Sequence, residues 1–261
     1  MSRCKPDSVP ALTFEDVSVV RGGKLIWSDG TFEVPAGGIV AIIGSNGSGK
    51  TSLLNVVLGL IPAASGHVRV LGQPAGEVNA SVGYVPQNYA SASGEAIRVC
   101  DAIMLGLNGT RWGFSRPSHD DRARVDESLD AVGARPFARR RLSELSGGQR
   151  QRVAIAEALV ARPRILILDE PLASLDLRNQ REIVELLDRL NTELGVTILV
   201  VAHDLNPLLS VLSSAIYLLD GHAHFDTLDS VVEETLLSHL YGTPIQVVRT
   251  PQGELYMRST R

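Results

Sequence analysis

Four apolar residues, Val40 to Ile43, run directly into Gly44-Ser45-Asn46-Gly47-Ser48-Gly49-Lys50-Thr51-Ser52, and an apolar-periodic stretch begins straight after. Few local sequences restrict a fold so tightly. The segment satisfies the pattern G-x-x-x-x-G-K-[ST], with Gly44, Gly49, Lys50 and Thr51 at the fixed positions, in the strand-loop-helix setting that the pattern needs. In that setting Gly47 and Gly49 let main-chain N–H groups close on phosphate oxygens with no Cβ in the way. The start of the helix adds its positive end. Lys50 would reach the β- and γ-phosphates as a point charge, and the Thr51 hydroxyl would take one position on Mg²⁺.

The other segments sort into two kinds of pattern. Residues 12 to 34 alternate as antiparallel strands do, with Leu12, Phe14, Val17 and Val19, then Ile26, Phe32 and Val34, broken by turns at Arg21-Gly22-Gly23 and Asp29-Gly30. Ile39 to Ile43, Ile165 to Leu168 and Thr197 to Val201 are instead continuous apolar runs, which suit a parallel sheet covered on both faces. Helical spacing appears in Ile97 to Leu107, in Asp120 to Val132 with Val125, Leu129 and Val132 on one stripe, and in Ile183, Leu186, Leu187, Leu190 and Leu194. Gly106 to Pro117, rich in Gly, Asn and Pro, is the expected loop between the first two helices.

Further motifs follow in a fixed order. Tyr84-Val85-Pro86-Gln87 comes first, then Leu145-Ser146-Gly147-Gly148-Gln149, Ile165-Leu166-Ile167-Leu168-Asp169-Glu170, Ser174-Leu175-Asp176 and Val201-Ala202-His203-Asp204. Ser146 is also a good N-cap for the helical run from Val153 to Val160, and a helix N-terminus is where a phosphate is well held. In type, order and spacing these segments resemble the ATP-binding cassette family, the nucleotide-hydrolysing subunits of membrane transporters, over about residues 12 to 225. They match its Q-loop, signature, Walker B strand, D-loop and switch histidine.

The resemblance implies a P-loop NTPase core of the α/β class with a mixed, largely parallel sheet, an antiparallel β subdomain and an inserted α-helical subdomain. The expected organisation is one ATP-binding domain over 12–248 with helices inserted at about 88–145, and terminal extensions at 1–11 and 249–261. Asp169 would hold Mg²⁺ alongside Thr51, and Glu170 would polarise the attacking water. His203 would contact the γ-phosphate and keep water and Glu170 in line; Gln87 would coordinate Mg²⁺ and the water where the core meets the helical lobe. Ser146, Gly147, Gly148 and Gln149 would complete the site of a second subunit across an ATP sandwich. One position departs from the family. Arg21 stands where an aromatic residue usually stacks on adenine, although a guanidinium can also stack on a π-face. Trp27 is read as core.

Composition narrows the class. At 261 residues with 44% apolar content the chain can bury a large core, yet it has no continuous apolar run of spanning length and no apolar h-region behind Met1. A net charge of −4 argues against a nucleic-acid partner, and Arg139-Arg140-Arg141 is read as a solvated face. Cys4 and Cys100 match no metal spacing and are expected as reduced thiols. By resemblance the chain would sit at the cytoplasmic face of the membrane, bound to permease subunits and paired with a second copy, and would serve an extracytoplasmic solute-binding protein. Segments 240–248 and 106–113 look like the branch that powers manganese and zinc import. An iron-chelate or cobalamin-type cargo is the alternative, and a soluble cassette acting on ribosomes or DNA is the alternative of another class. His222 and His224, with Asp226, fall on one side of a strand and invite a metal-site reading, against which stands an ordinary strand-turn.

Overall fold

The computed structural model describes residues 9–87, 89, 96–108, 117–250 and 255–259. In chain order the strands and helices begin with β1 Leu12–Arg21, β2 Lys24–Val34, β3 Ile39–Gly44, α1 Lys50–Val57, β4 Ser65–Val70, β5 Gln73–Pro74 and β6 Val82–Val85. Then come α2 Val99–Asn108, α3 His119–Ala131, α4 Gly147–Leu159, β7 Ile165–Asp169 and α5 Leu177–Leu194. The last are β8 Thr197–Val201, β9 Ser214–Leu219, β10 His222–Thr227, α6 Leu228–Val231, α7 Glu234–Tyr241, β11 Ile245–Arg249 and β12 Leu255–Ser259. The chain divides into two compact units, Met1–Asn79 with Val196–Arg261, and Ala80–Gly195.

In the first unit the strands run β5-β4-β1-β2-β10-β9-β3-β8. β1 and β2 form the expected antiparallel hairpin, closed by Gly22 and Gly23 at φ 58° and 76° between the paired residues Arg21 and Lys24. Two consecutive residues of positive φ are what a two-residue hairpin turn matching the strand twist requires. Asp29-Gly30, expected as a turn, lies instead inside β2, where Asp29 takes φ 57° and Gly30 pairs with Val17. β3 lies between β8 and β9 and is parallel to both. Ile39–Ile43 and all of β8 are buried, as continuous apolar runs covered on both faces should be. Trp27 is fully buried, and Phe14 stacks on Phe32, so Trp27 is core as expected.

In the second unit β6 and β7 are parallel, with Tyr84 opposite Ile167. α4 packs on α2, α3, α5 and β6. This unit is wider than the expected helical insertion at about 88–145, because both strands and α5 cluster with the helices. α5 is N-capped by Asp176 and ends at Gly195 in the left-handed region. It buries Ile183, Val184, Leu186, Leu187 and Leu190. Leu194, placed on the same stripe by spacing, is 58% exposed: it is the helix's final residue, where the chain turns away.

Two boundaries differ from expectation. α2 continues through Gly106 to Asn108, so the helix is longer than its glycine suggested; residues 109–116 of the expected loop lie outside the described residues, as does Cys4. Residues 249–261 are not simply an extension, since Arg249 closes β11 and Leu255–Ser259 pair with it antiparallel, burying Met257. Among the described residues no helix is long and apolar enough to cross a membrane.

Candidate functional site

In the first unit, β3 delivers the glycine-rich loop at its carboxyl end. Gly47 and Gly49 sit at φ 82° and 104°, and Gly49 is the N-cap of α1 with no side chain to offer its first N–H groups. A Cβ at Gly49 would press on Ile26 and come within 2.9 Å of Trp27 Cδ1. Glycine is therefore required here by both conformation and space. Gly49→Ala should cost about 1–3 kcal/mol of stability and weaken nucleotide binding, readable as a lower Tm with a smaller ATP-induced rise. An unchanged Tm would show that the loop tolerates the side chain.

Lys50 Nζ donates to the main-chain oxygens of Gly44 at 2.8 Å and Ser45 at 3.0 Å, so the cation lies across its own loop. Ser45, Asn46, Gly47 and Thr51 are exposed, Ser48 is half-buried, and Ser52 is buried beneath them. An uncapped helix start, small residues and one lysine form a donor set that suits a polyphosphate. His203 is exposed just beyond the end of β8, and Arg21 is exposed at the end of β1.

In the second unit, the parallel strands β6 and β7 bring two motifs to one edge. Asp169 is the last residue of β7, and Gln87 lies just past the end of β6. Glu170 Oε2 accepts a 2.7 Å hydrogen bond from Gln87 Nε2. Glu170 also adopts φ 51°, a conformation uncommon for a residue with a side chain and one that tends to cluster at functional sites. Ser174 of the D-loop shares it at φ 63°. The sequence marks Tyr84 only as part of the Q-loop. Its phenol is held above its usual pKa, first by burial and then by the neighbouring Asp169 carboxylate, to which it hydrogen-bonds. The strand register explains the meeting: Tyr84 faces Ile167, and Asp169 is the next residue on that face.

The signature opens α4. Ser146 Oγ accepts from the Gln149 N–H at 3.3 Å, and the Ser146 N–H donates to Gln149 Oε1 at 3.1 Å, a reciprocal capping box. Ser146 and Gly147 are exposed, whereas Gly148 is buried against Asn179, whose side chain a Cβ there would strike. Asn179 donates from its backbone N–H and its Nδ2 to the two Asp176 oxygens, at 2.8 and 2.9 Å. These bonds, the backbone one first, hold the Asp176 carboxyl below its usual pKa. Signature and D-loop thus meet through Asn179, a residue the sequence marks only by its N-cap spacing from Asp176.

His222 and His224 do share a side of β10, but each has a protein partner. His222 Nδ1 lies 2.9 Å from Asp29 Oδ2, His224 stacks on Tyr217, and Tyr217 donates to Asp226. No group of three or more His, Cys, Asp or Glu among the described residues is arranged to hold a metal ion.

The ABC transporter family profile matches residues 28–173. The zinc transport system ATP-binding protein TroB of Treponema pallidum (strain Nichols) is 35% identical, over 93% of this chain and 91% of its own length. The manganese transport system ATP-binding protein MntB of Bacillus subtilis (strain 168) is 37% identical over 73% and 76%. The solved ATP-binding cassette MJ0796, described as a dimeric post-hydrolysis state bound to ADP and Pi, superposes with a TM-score of 0.68 at 28% identity, covering 83% of this chain and 98% of that one. On the profile match over more than half of its length and the similarity to these relatives, the chain belongs to the ABC transporter family as one of its ATP-binding, ATP-hydrolysing subunits.

Proposed function

We propose that this subunit drives import of manganese or zinc through a permease, from the cytoplasmic face of the membrane, as a homodimer that closes on two ATP molecules. The observation that carries the cargo is the near full-length similarity to the zinc subunit, joined by the similarity to the manganese subunit. On this reading residues 12–248 act as one ATP-binding domain with a helical lobe at about 88–145, and an extracytoplasmic solute-binding protein supplies the metal.

Gly44 to Ser52 cradle the phosphates, with Lys50 between the β- and γ-phosphates, and Arg21 stacks on adenine in place of an aromatic ring. Thr51, Gln87 and Asp169 would hold Mg²⁺; hydroxyl, amide and carboxylate oxygens are the hard ligands that ion takes. When bound, the ion supplies positive charge beside the phosphate oxygens. Glu170, steadied by Gln87, orients and polarises water for attack on the γ-phosphorus, and His203 lines water up with that phosphate. Ser146 to Gln149 of the second copy close the site. The hydrogen-bonded pair of Gln87 and Glu170 supports this division, because it ties the water-activating group to the segment that leads into the helical lobe.

The cargo test is uptake of radiolabelled manganese and zinc by cells that carry the subunit with its permease, parent against Glu170→Gln. Metal accumulation that depends on Glu170 is expected. Equal accumulation in both, with a ferric hydroxamate taken up only by the parent, would move the cargo to the iron-chelate class.

A further inference from the structure

β12 has a strand on one edge and, on the other, the side chain of Asn206. β11 pairs with it, Val247 opposite Met257. On the far edge, the Met257 N–H donates to Asn206 Oδ1 at 2.7 Å, and Asn206 Nδ2 donates to the Met257 carbonyl at 2.9 Å. One carboxamide thus supplies the acceptor and donor that a neighbouring strand's peptides would. In an antiparallel pair the N–H and C=O of one residue point to the same edge, so these two groups of Met257 lie outside the β11–β12 ladder. Val247 likewise points its N–H outward and donates to Glu234 Oε1 of α7 at 2.9 Å. The Ile245 N–H donates to Ser238 Oγ of the same helix at 2.8 Å.

The other end of this linkage is the turn that carries His203. β8 ends at Val201, two residues before His203. The Ala202 N–H carries the pairing one step further, donating to the Ile42 carbonyl at 3.3 Å, and beyond it fully buried Leu205 and the side chain of Asn206 fix the chain. Asp204 Oδ1 tightens the turn by accepting from the Asn206 N–H at 2.9 Å. Tyr241, the last residue of α7, has its phenol pushed up to about 12, by burial first and by the Asp204 charge second, which sets the end of that helix against the same turn. Asn206 itself is half-buried, with both carboxamide atoms engaged by Met257 and its N–H by Asp204.

From these contacts we infer that the C-terminal ribbon is a positioning element for the switch histidine: Asn206 and Met257 together hold the turn that presents the His203 imidazole, and the seating of the ribbon sets turnover. The inference rests on the reading of His203 as a group that acts at the γ-phosphate.

Two substitutions approach the link from opposite ends. Asn206→Ala removes both bonds at the turn. Met257→Pro removes the N–H from a site 51 residues away, and because that N–H lies outside the ladder the β11–β12 bonds stay in place. In the purified full-length chain each variant should keep the parent's KM for ATP while kcat falls roughly tenfold or more, as expected when a reacting group is displaced. The double variant should be no slower than the worse single one, since both changes break one link. The His203 imidazole signal in proton–carbon correlation spectra should shift or broaden, while the signals of His67 and His119 stay in place. A parental kcat and an unmoved His203 signal in Met257→Pro and Asn206→Ala would overturn the inference. If His203→Ala itself turns over at the parental rate, the assigned role of His203 fails instead, and the imidazole signal alone decides whether the ribbon holds the turn.

Discussion

Glu170→Gln is expected to keep its ATP and to turn it over at least ~10²-fold more slowly than the parent, the loss that follows removal of a positioned proton acceptor. The substitution preserves shape. Its amide oxygen can still accept from Gln87 Nε2, so the 2.7 Å link to the Q-loop need not be lost. What disappears is the negative charge that polarises water, at a residue held at φ 51° past the end of β7. Lys50→Ala is the contrasting change, because it removes the cation that bridges Gly44 and Ser45 and would meet the phosphates. It should lower ATP affinity itself. Calorimetric titration with ATP and release of inorganic phosphate separate the two cases. Near-parental turnover in Glu170→Gln would remove that residue from the catalytic role, and equal ATP affinity in the two variants would contradict the division of labour.

The parts of the site that were legible in the sequence are those written in short, fixed spacings. The glycine-lysine loop, the apolar run ending in Asp169-Glu170 and the serine before α4 each declare themselves within a few residues, because a strand end or a helix start imposes local chemistry. The parallel strands were legible for a related reason: a strand buried on both faces cannot alternate, and β3, β7 and β8 do not. What the sequence hid depends on register and on distance along the chain. Tyr84 meets Asp169 only because β6 and β7 pair with Tyr84 opposite Ile167. Nothing in the sequence near Asn206 points to Met257, and the five residues of β12 carry too little alternation to announce a strand. The positive φ of Glu170 leaves no mark on residue type, since no glycine or asparagine stands there. Leu194 shows the opposite failure, in which helical spacing continues past the point where burial stops.

In the proposed ATP sandwich Ser146 meets the nucleotide held by the second copy, and this contact can be tested on the chain alone. Ser146→Arg should abolish ATP-dependent dimerisation and hydrolysis while each monomer still binds ATP, because Lys50 and Thr51 are untouched. The substitution also removes the N-cap of α4, at a cost of about 1 kcal/mol. Ser146→Ala loses the same cap without adding bulk or charge, so its lower Tm measures that cost, and only the arginine chain should fail to associate. Mixing Ser146→Arg with Lys50→Ala chains sharpens the test. In the mixed dimer one composite site receives its phosphate loop and its signature from intact segments, and the other receives both from altered ones. Association with ATP should therefore return in the mixture, measured by light scattering in the Glu170→Gln background, where the nucleotide is held. Ser146→Arg chains that dimerise on their own as well as the Ser146 parent would place the signature outside the composite site, and the exposed start of α4 would then need another partner.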